Sequence, residues 1–319
     1  MPVSSILVVR LGAMGDIIHA LPAAAALKRA FPGCALSWAV EPRWRDLLES
    51  GGLADSLIEI DRRGYRSVAL AWQRLRSTAF DLAIDFQGLI KSAAVTRAAR
   101  AAERIGFERA QLREPAAGLF YTRRFHCPAA HVVDRNLELA AHLGASAEAV
   151  EFPLPPGRPE GDLPTGPFIL ASPLAGWKAK QWPAGHWSAL ARLIHSETPY
   201  QLVLNGPVGV AQFASAVPGA AIHVSSVAGL IHASRLASAV IGLDSGPLHL
   251  AAALSRPAIA LFGPTDPSRN GPYGPTVHCL RTPGADTTYA RRPEIHPSMQ
   301  ALTPTSVFRA LIDLLEPRR

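Results

Sequence analysis

Four short segments of the chain place glycine beside acidic or basic side chains that could act on a substrate. The first runs from Arg10 to His19, directly after an apolar run, and holds Gly12, Gly15 and Asp16. Glycine permits a tight turn and a close backbone approach to a ligand, and a carboxylate at such a turn can serve as a general base. Asp is also a frequent N-cap residue of helices, so Asp16 by itself has both interpretations.

The first segment lacks the glycine spacing of a dinucleotide-binding loop. That loop requires Gly-x-Gly-x-x-Gly and an acidic residue about 20 positions later, whereas residues 12–15 provide only Gly-x-x-Gly. A carboxylate at this turn would also repel a pyrophosphate. The segment therefore favours a general base over a phosphate cradle and disfavours an NAD-dependent oxidoreductase.

The second segment, residues 177–183, contains two of the chain's four lysines, Lys178 and Lys180. A lysine at the end of a strand, close to the start of a helix, can pair with a phosphate oxygen. The alternative is that both lysines are solvated loop charges. Their placement favours a phosphate contact.

The third segment, Asp244 to His249, reads as strand, tight turn and helix. Ser245 and Gly246 would present backbone N–H groups at a helix N-terminus, which suits an anion. Asp244 would either cap that helix or bind a sugar hydroxyl. His249 would face a ligand or pack inside the protein.

The fourth segment, residues 262–267, forms a rigid Gly-Pro turn followed by Thr265 and Asp266. These two side chains would hydrogen-bond ligand hydroxyls or start a helix.

Arginines form two clusters in the first half of the chain, and each cluster follows a predicted strand. The clusters are Arg62, Arg63 and Arg66, then Arg113, Arg123 and Arg124. Guanidinium groups suit phosphates and carboxylates, and the net charge of +7 is compatible with an anionic partner. Solvated loop charges are the alternative for both clusters.

Apolar strands alternate with helical patterns through both halves of the chain, which predicts parallel sheets covered on both faces. We expect an α/β protein with two doubly wound, Rossmann-like domains over residues 1–153 and 160–319, joined by a proline-rich linker at 152–159. The pattern predicts one helix over 16–30, an irregular stretch over 107–130 and a loop over 282–303. A closing helix over 304–315 is also predicted, and packing on the second domain or back on the first domain are both open for it.

The composition narrows the class of protein. The chain has 319 residues, 48% of them hydrophobic, and three isolated cysteines without a Cys-x-x-Cys pair, which fits a reducing cytoplasm. No signal peptide and no transmembrane stretch is expected. Aromatic residues are only 7% and no nucleic-acid recognition module is evident, so nucleic acid is not an expected partner.

Together and in this order, the segments resemble glycosyltransferase family 9, the heptosyltransferases of the lipopolysaccharide inner core. The resemblance runs almost end to end and is nearer to the type I enzymes than to type II. It rests on residues 14–22, 85–93, 113–121, 180–183, 244–249 and 263–267.

The resemblance implies a GT-B fold, in which two Rossmann-like domains face each other across a cleft. It implies an inverting glycosyltransferase that needs no metal and no cofactor, with ADP-heptose as substrate and Asp16 as catalytic base. It assigns donor binding to Lys180, Asp244, Ser245, Gly246 and His249. It assigns acceptor binding to Gly15, His19, Arg62, Arg63, Arg66, Gln87 and Arg113.

One departure from the family pattern lies just before the lysine segment. The family often has hydroxyl side chains there, whereas this chain has Leu-Ala-Gly-Trp-Lys at 174–178. We expect the backbone amides of Ala175 and Gly176 to replace those contacts to the donor diphosphate.

By the same resemblance, the acceptor is the Kdo region of an anionic glycolipid, Kdo-bearing lipid A, and the enzyme is a cytoplasmic monomer peripheral to the inner membrane. Two alternatives stay open. One is a related family-9 transferase with another nucleotide sugar or acceptor, such as a type II enzyme. The other is a non-catalytic nucleotide-binding module.

Overall fold

The computed structural model describes residues 3–61 and 63–316, and the chain divides into two compact units, Met1–Pro155 and Pro156–Arg319. The predicted acceptor residue Arg62 lies outside the described residues.

The first unit is built on one parallel six-stranded sheet with the spatial order β3-β2-β1-β4-β5-β6. Its strands are β1 Ser5–Val9, β2 Ala35–Val40, β3 Ser56–Glu59, β4 Leu82–Asp85, β5 Glu103–Phe107 and β6 Arg123–Phe125. Its α-helices are α1 Met14–Ile18, α2 Leu21–Ala30, α3 Tyr65–Ser77, α4 Ile90–Ala98 and α5 Val132–Ala141. Short 3-10 turns cover Pro42–Leu47, Arg109–Gln111 and Pro115–Phe120.

The second unit repeats this plan with the order β12-β11-β10-β7-β8-β9, again parallel throughout. Its strands are β7 Phe168–Ser172, β8 Gln201–Gly206, β9 Ala221–Val224, β10 Ala239–Leu243, β11 Ala258–Phe262 and β12 Val277–Arg281. Its α-helices are α6 Ala184–Glu197, α7 Gly209–Ala214, α8 Val227–Leu236, α9 Gly246–Ala253, α10 Pro267–Asn270, α11 Pro297–Ala301 and α12 Pro304–Leu315. A 3-10 turn covers Lys178–Lys180.

Both sheets therefore have the strand order of the doubly wound Rossmann fold, and the predicted fold class is confirmed. In this topology the chain reverses its winding direction between β1 and β4, and again between β7 and β10. Ligands of open α/β sheets bind at that switch point, beyond the carboxyl ends of the strands. The first and third segments of the sequence analysis follow β1 and β10, so the fold brings each to a switch point.

The helix predicted over 16–30 is interrupted at His19 and Ala20. Pro22 lies in the first turn of α2, and because proline has no N–H it cannot continue the hydrogen bonding of the preceding helix. The break leaves α1 as a separate turn of five residues that carries Asp16.

Two short edge strands were missed by the sequence analysis. β6 lies within the stretch predicted to be irregular, and β12 was not predicted at all. Edge strands are covered on fewer sides than central ones, so they do not need a continuous apolar run. Arg123 in β6 pairs across the sheet with Glu103 of β5 at 2.6 Å, and its neighbour Arg124 donates to the carbonyl of Gly118 at 3.1 Å.

The core of the second unit joins its first and last helices. Trp182 and Trp187 are fully buried and meet edge to face, with ring centroids 5.0 Å apart, a favourable geometry for aromatic pairs. Val307 and Leu311 of α12 belong to the same buried cluster, and the Trp182 indole N–H donates to the Leu302 carbonyl at 2.9 Å. The closing helix thus packs on the second unit.

Candidate functional site

Asp16 lies on α1 directly beyond β1, at the switch point of the first sheet. Its side chain is 46% exposed, and Oδ1 pairs with Nη2 of Arg10 at 2.8 Å. Oδ2 accepts a hydrogen bond from the backbone N–H of Ala13 at 3.1 Å. Ala13, not Asp16, occupies the N-cap position, so the side chain satisfies one helix-start donor from inside the first turn and still faces solvent.

The Asp16 carboxylate is held in place by the buried side chain of Arg10. That side chain is only 8% exposed, and Nη1 donates to the Phe86 carbonyl, at the end of the neighbouring strand β4, at 2.7 Å. A guanidinium fixed at two points by the backbone and a carboxylate has little freedom to move. Arg10 thus orients Asp16, a partnership that sequence reasoning missed although Arg10 is a single charged residue after a buried strand.

Gln87, a predicted acceptor residue, connects the loops that follow β1 and β4. Its Oε1 accepts a hydrogen bond from the Leu11 backbone N–H at 2.9 Å. Gly15 lies inside α1 and His19 is the C-cap residue of that helix, and both are buried. The His19 ring meets the His131 ring edge to face, with centroids 5.6 Å apart. Acceptor contacts by Gly15, His19 and Gln87 remain predictions.

A buried carboxylate, Asp85, stands beneath the loop that follows β4 and has no access to solvent. It accepts hydrogen bonds from the Tyr121 and Ser92 hydroxyls, both at 2.7 Å, and from the backbone N–H groups of Gln87 and Gly88 at 2.8 and 3.1 Å. Burial raises the pKa of Asp85, while the four donors oppose that rise by stabilising the charged form.

Tyr121 fits into this cluster because Gly106 on β5 has no side chain. A Cβ at position 106 would lie 2.4 Å from the Tyr121 ring, well inside van der Waals contact. Burial and the adjacent Asp85 raise the pKa of the Tyr121 phenol, so the hydroxyl stays a donor. This cluster fixes the segment 85–92, which contains Gln87.

The predicted acceptor arginines do not form one group. Arg63 is exposed and pairs with Asp61 at 3.2 Å, while Arg66 contacts the Tyr65 hydroxyl at 3.1 Å. Arg113 is exposed and, within the described part of the chain, has no ion-pair partner. All three guanidinium groups thus remain accessible to an anionic acceptor.

The second switch point brings together residues of three segments. Lys180, after β7, pairs with Asp244, after β10, through Nζ and Oδ2, and both side chains are 15% exposed. The buried Thr265 hydroxyl, after β11, donates to the same Asp244 oxygen at 2.7 Å. Ser245, not Asp244, occupies the N-cap position of α9, while the other expected role of Asp244, binding a sugar hydroxyl, stays a prediction.

The remaining predicted donor residues surround this pair. Ser245 is the N-cap position of α9 and Gly246 its first residue, while His249 is buried one turn further along. Ala175 accepts a hydrogen bond from the Gln181 side chain at 3.3 Å through its carbonyl, and Gly176 is exposed. Asp266 starts α10 by accepting from the Ser268 N–H at 2.9 Å, one of its two predicted roles.

Within residues 3–61 and 63–316, no helix combines the length and apolar character needed to cross a bilayer. No three histidine, cysteine, aspartate or glutamate side chains among them converge as a metal ion would require.

Comparison with known proteins identifies similar chains. The model of glycosyltransferase family 9 (heptosyltransferase) matches residues 68–295. Lipopolysaccharide heptosyltransferase 1 of Pseudomonas aeruginosa is 32% identical over 299 residues, covering 84% of this chain and 81% of that protein. Lipopolysaccharide heptosyltransferase 1 of Escherichia coli K12 is 31% identical, covering 87% and 93%.

Solved structures of a heptosyltransferase are also similar to this chain. The E. coli heptosyltransferase WaaC with ADP superposes with a TM-score of 0.80 at 28% identity, covering 97% of this chain and 99% of that one. WaaC with ADP-2-deoxy-2-fluoro heptose gives 0.79 at 27% identity, with the same coverage.

Proposed function

The chain belongs to glycosyltransferase family 9, and we propose that it transfers heptose from ADP-L-glycero-D-manno-heptose to the Kdo region of the lipopolysaccharide inner core. The main support for this proposal is the similarity, over more than four-fifths of the chain, to proteins named lipopolysaccharide heptosyltransferase 1. The neighbour solved with an ADP-heptose analogue supports the choice of donor.

The first step assigns the general base to Asp16. An acceptor hydroxyl gives its proton to the Asp16 carboxylate while its oxygen forms a bond to the anomeric carbon of heptose. The bond from that carbon to the ADP oxygen breaks on the opposite face, so the configuration inverts. The partial exposure of Asp16 and its fixation by Arg10 support this role, because a base must be both reachable and oriented.

The second step assigns stabilisation of the departing ADP to the second unit. Negative charge develops on the diphosphate, and Lys180 would form an ion pair with it. The N–H groups at the start of α9, near Ser245 and Gly246, would add partial positive charge. In the proposed mechanism these protein groups carry out the stabilisation without a metal.

The acceptor would be Kdo-bearing lipid A, an anionic glycolipid at the cytoplasmic face of the inner membrane. Arg63, Arg66 and Arg113 support this choice, since exposed guanidinium groups suit phosphates and carboxylates. The enzyme would act as a monomer bound peripherally to that membrane.

The test is a transfer assay with purified protein, ADP-heptose and Kdo-lipid A. A parallel series uses an acceptor that already carries one heptose, and another replaces ADP-heptose with other nucleotide sugars. Product only with ADP-heptose and the unmodified acceptor is expected. Product only with the heptosylated acceptor would reassign the chain to a type II activity, and ADP binding without product from any pair would leave a non-catalytic module.

A further inference from the structure

Helix α3 exposes an apolar stripe to solvent. Tyr65, Val68, Ala69 and Trp72 recur at three- and four-residue intervals, which places them along one side of the helix. Tyr65 is 79% exposed and Val68 is 39% exposed. The helix meets the core of its unit through Ala71 and Leu75, and Trp72 packs partly buried against the same cluster. Tyr65, Val68 and Ala69 do not belong to that cluster.

The segment that carries this stripe is positively charged and contains no acidic residue. Arg76, four residues after Trp72, continues the stripe along the same side of the helix, whereas Arg74 lies on the opposite side. Residues 62–80 contain five arginines and no aspartate or glutamate. Arg74 and Arg76 are exposed on α3 and, among the described residues, neither pairs with a carboxylate. The segment therefore has uncompensated positive charge beside exposed apolar area.

A surface depression of about 580 Å³ lies at the start of the stripe and is lined by Arg63, Gly64, Tyr65, Val68, Ala69 and Trp72. Aromatic rings and long arginine side chains are the residues that partition into the boundary between lipid headgroups and acyl chains. A helix with one apolar face and a cationic flank lies in that boundary.

We propose that the α3 surface, defined as Tyr65, Val68, Ala69 and Trp72 with Arg76, docks on an anionic lipid bilayer. The charge complementarity selects a membrane rich in anionic headgroups. The inference deepens the proposed function, because it identifies the part of the first unit that meets the membrane in which the acceptor resides.

The test is co-sedimentation of the full chain with acceptor-free vesicles. Vesicles of phosphatidylethanolamine and phosphatidylglycerol should bind the protein, and binding should fall with added salt, whereas phosphatidylcholine vesicles should bind it weakly. Arg76→Gln should weaken binding about fivefold at low salt. Tyr65→Ser with Val68→Ser should weaken it about tenfold through lost apolar burial.

Matched controls lie in the second unit. Val208 is also 79% exposed, so Val208→Ser should leave vesicle binding unchanged, as should Arg309→Gln. Unchanged binding in both α3 variants would overturn the proposal. So would variants that bind vesicles normally but lose turnover on detergent-dispersed acceptor, because the surface would then hold the acceptor itself. The vesicles contain no donor or acceptor, so failure here is separate from failure of heptose transfer.

A second, independent observation concerns the loop between β12 and α11. The Thr288 N–H donates to the Pro264 carbonyl at 2.7 Å, and the His296 N–H donates to the Ala179 carbonyl at 3.2 Å. Arg281 adds a hydrogen bond to the Gly263 carbonyl at 3.2 Å. These bonds hold the loop along the same edge of the sheet as Lys180.

The loop brings a second cation to the Trp177 indole. Nζ of Lys180 lies 4.4 Å from the ring centroid and Cζ of Arg291 lies 5.0 Å from it. Lys180 is already paired with Asp244, whereas Arg291 is exposed and pairs with no carboxylate within the described ranges. The Lys180–Asp244 pair is neutral as a unit, so Arg291 adds net positive charge to this edge.

We infer that Arg291 binds the donor diphosphate beside Lys180, with the Trp177 ring supporting both cations. This inference rests on the proposed donor. It explains how the edge attracts a dianionic diphosphate although its lysine is already neutralised.

The test measures binding of ADP and of adenosine by calorimetry. Arg291→Ala should weaken ADP binding about 10- to 100-fold, the range for a charge-assisted hydrogen bond, and leave adenosine binding unchanged. Arg292→Ala removes the adjacent exposed arginine as a matched control and should change neither. Equal ADP affinity in Arg291→Ala and the unmodified chain, or equal losses for ADP and adenosine, would overturn the inference. If the unmodified chain fails to bind ADP, the proposed donor itself is wrong.

Discussion

The two units share one strand order but place opposite chemistry at their switch points. In the first unit a half-exposed carboxylate, Asp16, is held by a buried arginine. In the second unit Lys180 pairs with the largely buried Asp244, which also accepts a hydrogen bond from the Thr265 hydroxyl. Each ion pair thus has the same two charges, but the acid of the first pair is 46% exposed, whereas both side chains of the second pair are 15% exposed. The fold supplies the position, and the residue beyond each strand decides the chemistry.

The largest expected effect concerns the exposed carboxylate of the first unit, Asp16. Asp16→Asn removes the base while keeping the hydrogen-bond acceptor for Ala13, so heptose transfer should fall about 10²- to 10⁴-fold. Binding of ADP, which concerns the second unit, should stay unchanged in calorimetry. Turnover equal to that of the unmodified enzyme would contradict the base assignment.

The next largest effect is expected for the lysine of the second unit, Lys180. Lys180→Met removes the cation and keeps the length of the side chain, so kcat/KM for the donor should fall about 10- to 100-fold. ADP affinity should fall with it, in contrast to Asp16→Asn. Steady-state kinetics with varied ADP-heptose makes the measurement, and an unaltered donor KM together with an unaltered kcat would remove Lys180 from the site.

A third prediction concerns the support beneath the first switch point. Tyr121→Phe removes one of four donors to buried Asp85 and should lower the free energy of unfolding by about 1–3 kcal/mol. Burial already raises the pKa of Asp85 and the lost hydrogen bond would raise it further. The deficit should therefore be largest above the pKa of folded Asp85 and shrink as the pH falls and the carboxyl becomes protonated.

Denaturant unfolding of Tyr121→Phe and the unmodified chain at several pH values checks this. A deficit that stays constant or grows toward acidic pH would show that Asp85 is not the group affected.

The smallest effect on transfer is expected for Thr265, which donates to Asp244 in the second unit. Thr265→Val keeps the shape of the side chain but removes the hydroxyl donor to Asp244, while Lys180 still pairs with that carboxylate. Loss of one neutral donor costs about 1 kcal/mol, so kcat/KM should fall about fivefold. A loss as large as that of Lys180→Met would mean that Thr265 itself contacts the donor.

Much of the architecture was predictable from the chain because the central strands are apolar throughout. β2, β10 and β11 lie inside their sheets and are almost wholly buried, and strands buried on both faces carry a continuous apolar signal. The edge strands β6 and β12 have no such signal. The break between α1 and α2 depended on the effect of Pro22, which the periodicity over 16–30 conceals.

The candidate site was predictable only in part. Asp16, Lys180 and Asp244 were singled out because each is a charged residue at a strand end. Arg10 and Thr265 lie within the named segments, but no pattern predicted that Arg10 pairs with Asp16 or that Thr265 donates to Asp244. Arg291, within a predicted loop, is 111 positions from Lys180 in the chain, and no local pattern connects them.

The sequence by itself determined the strand periodicity, the glycine turns and the charged residue that follows each central strand, because these depend on neighbouring positions in the chain. Only the tertiary structure decided which groups meet: Arg10 with the Phe86 carbonyl, Lys180 with Asp244, and Tyr121 with Asp85. Those pairings depend on the order of strands in each sheet, which brings together residues that are distant in the chain. A hydrogen bond or ion pair forms only when its two atoms lie within a few ångströms of each other.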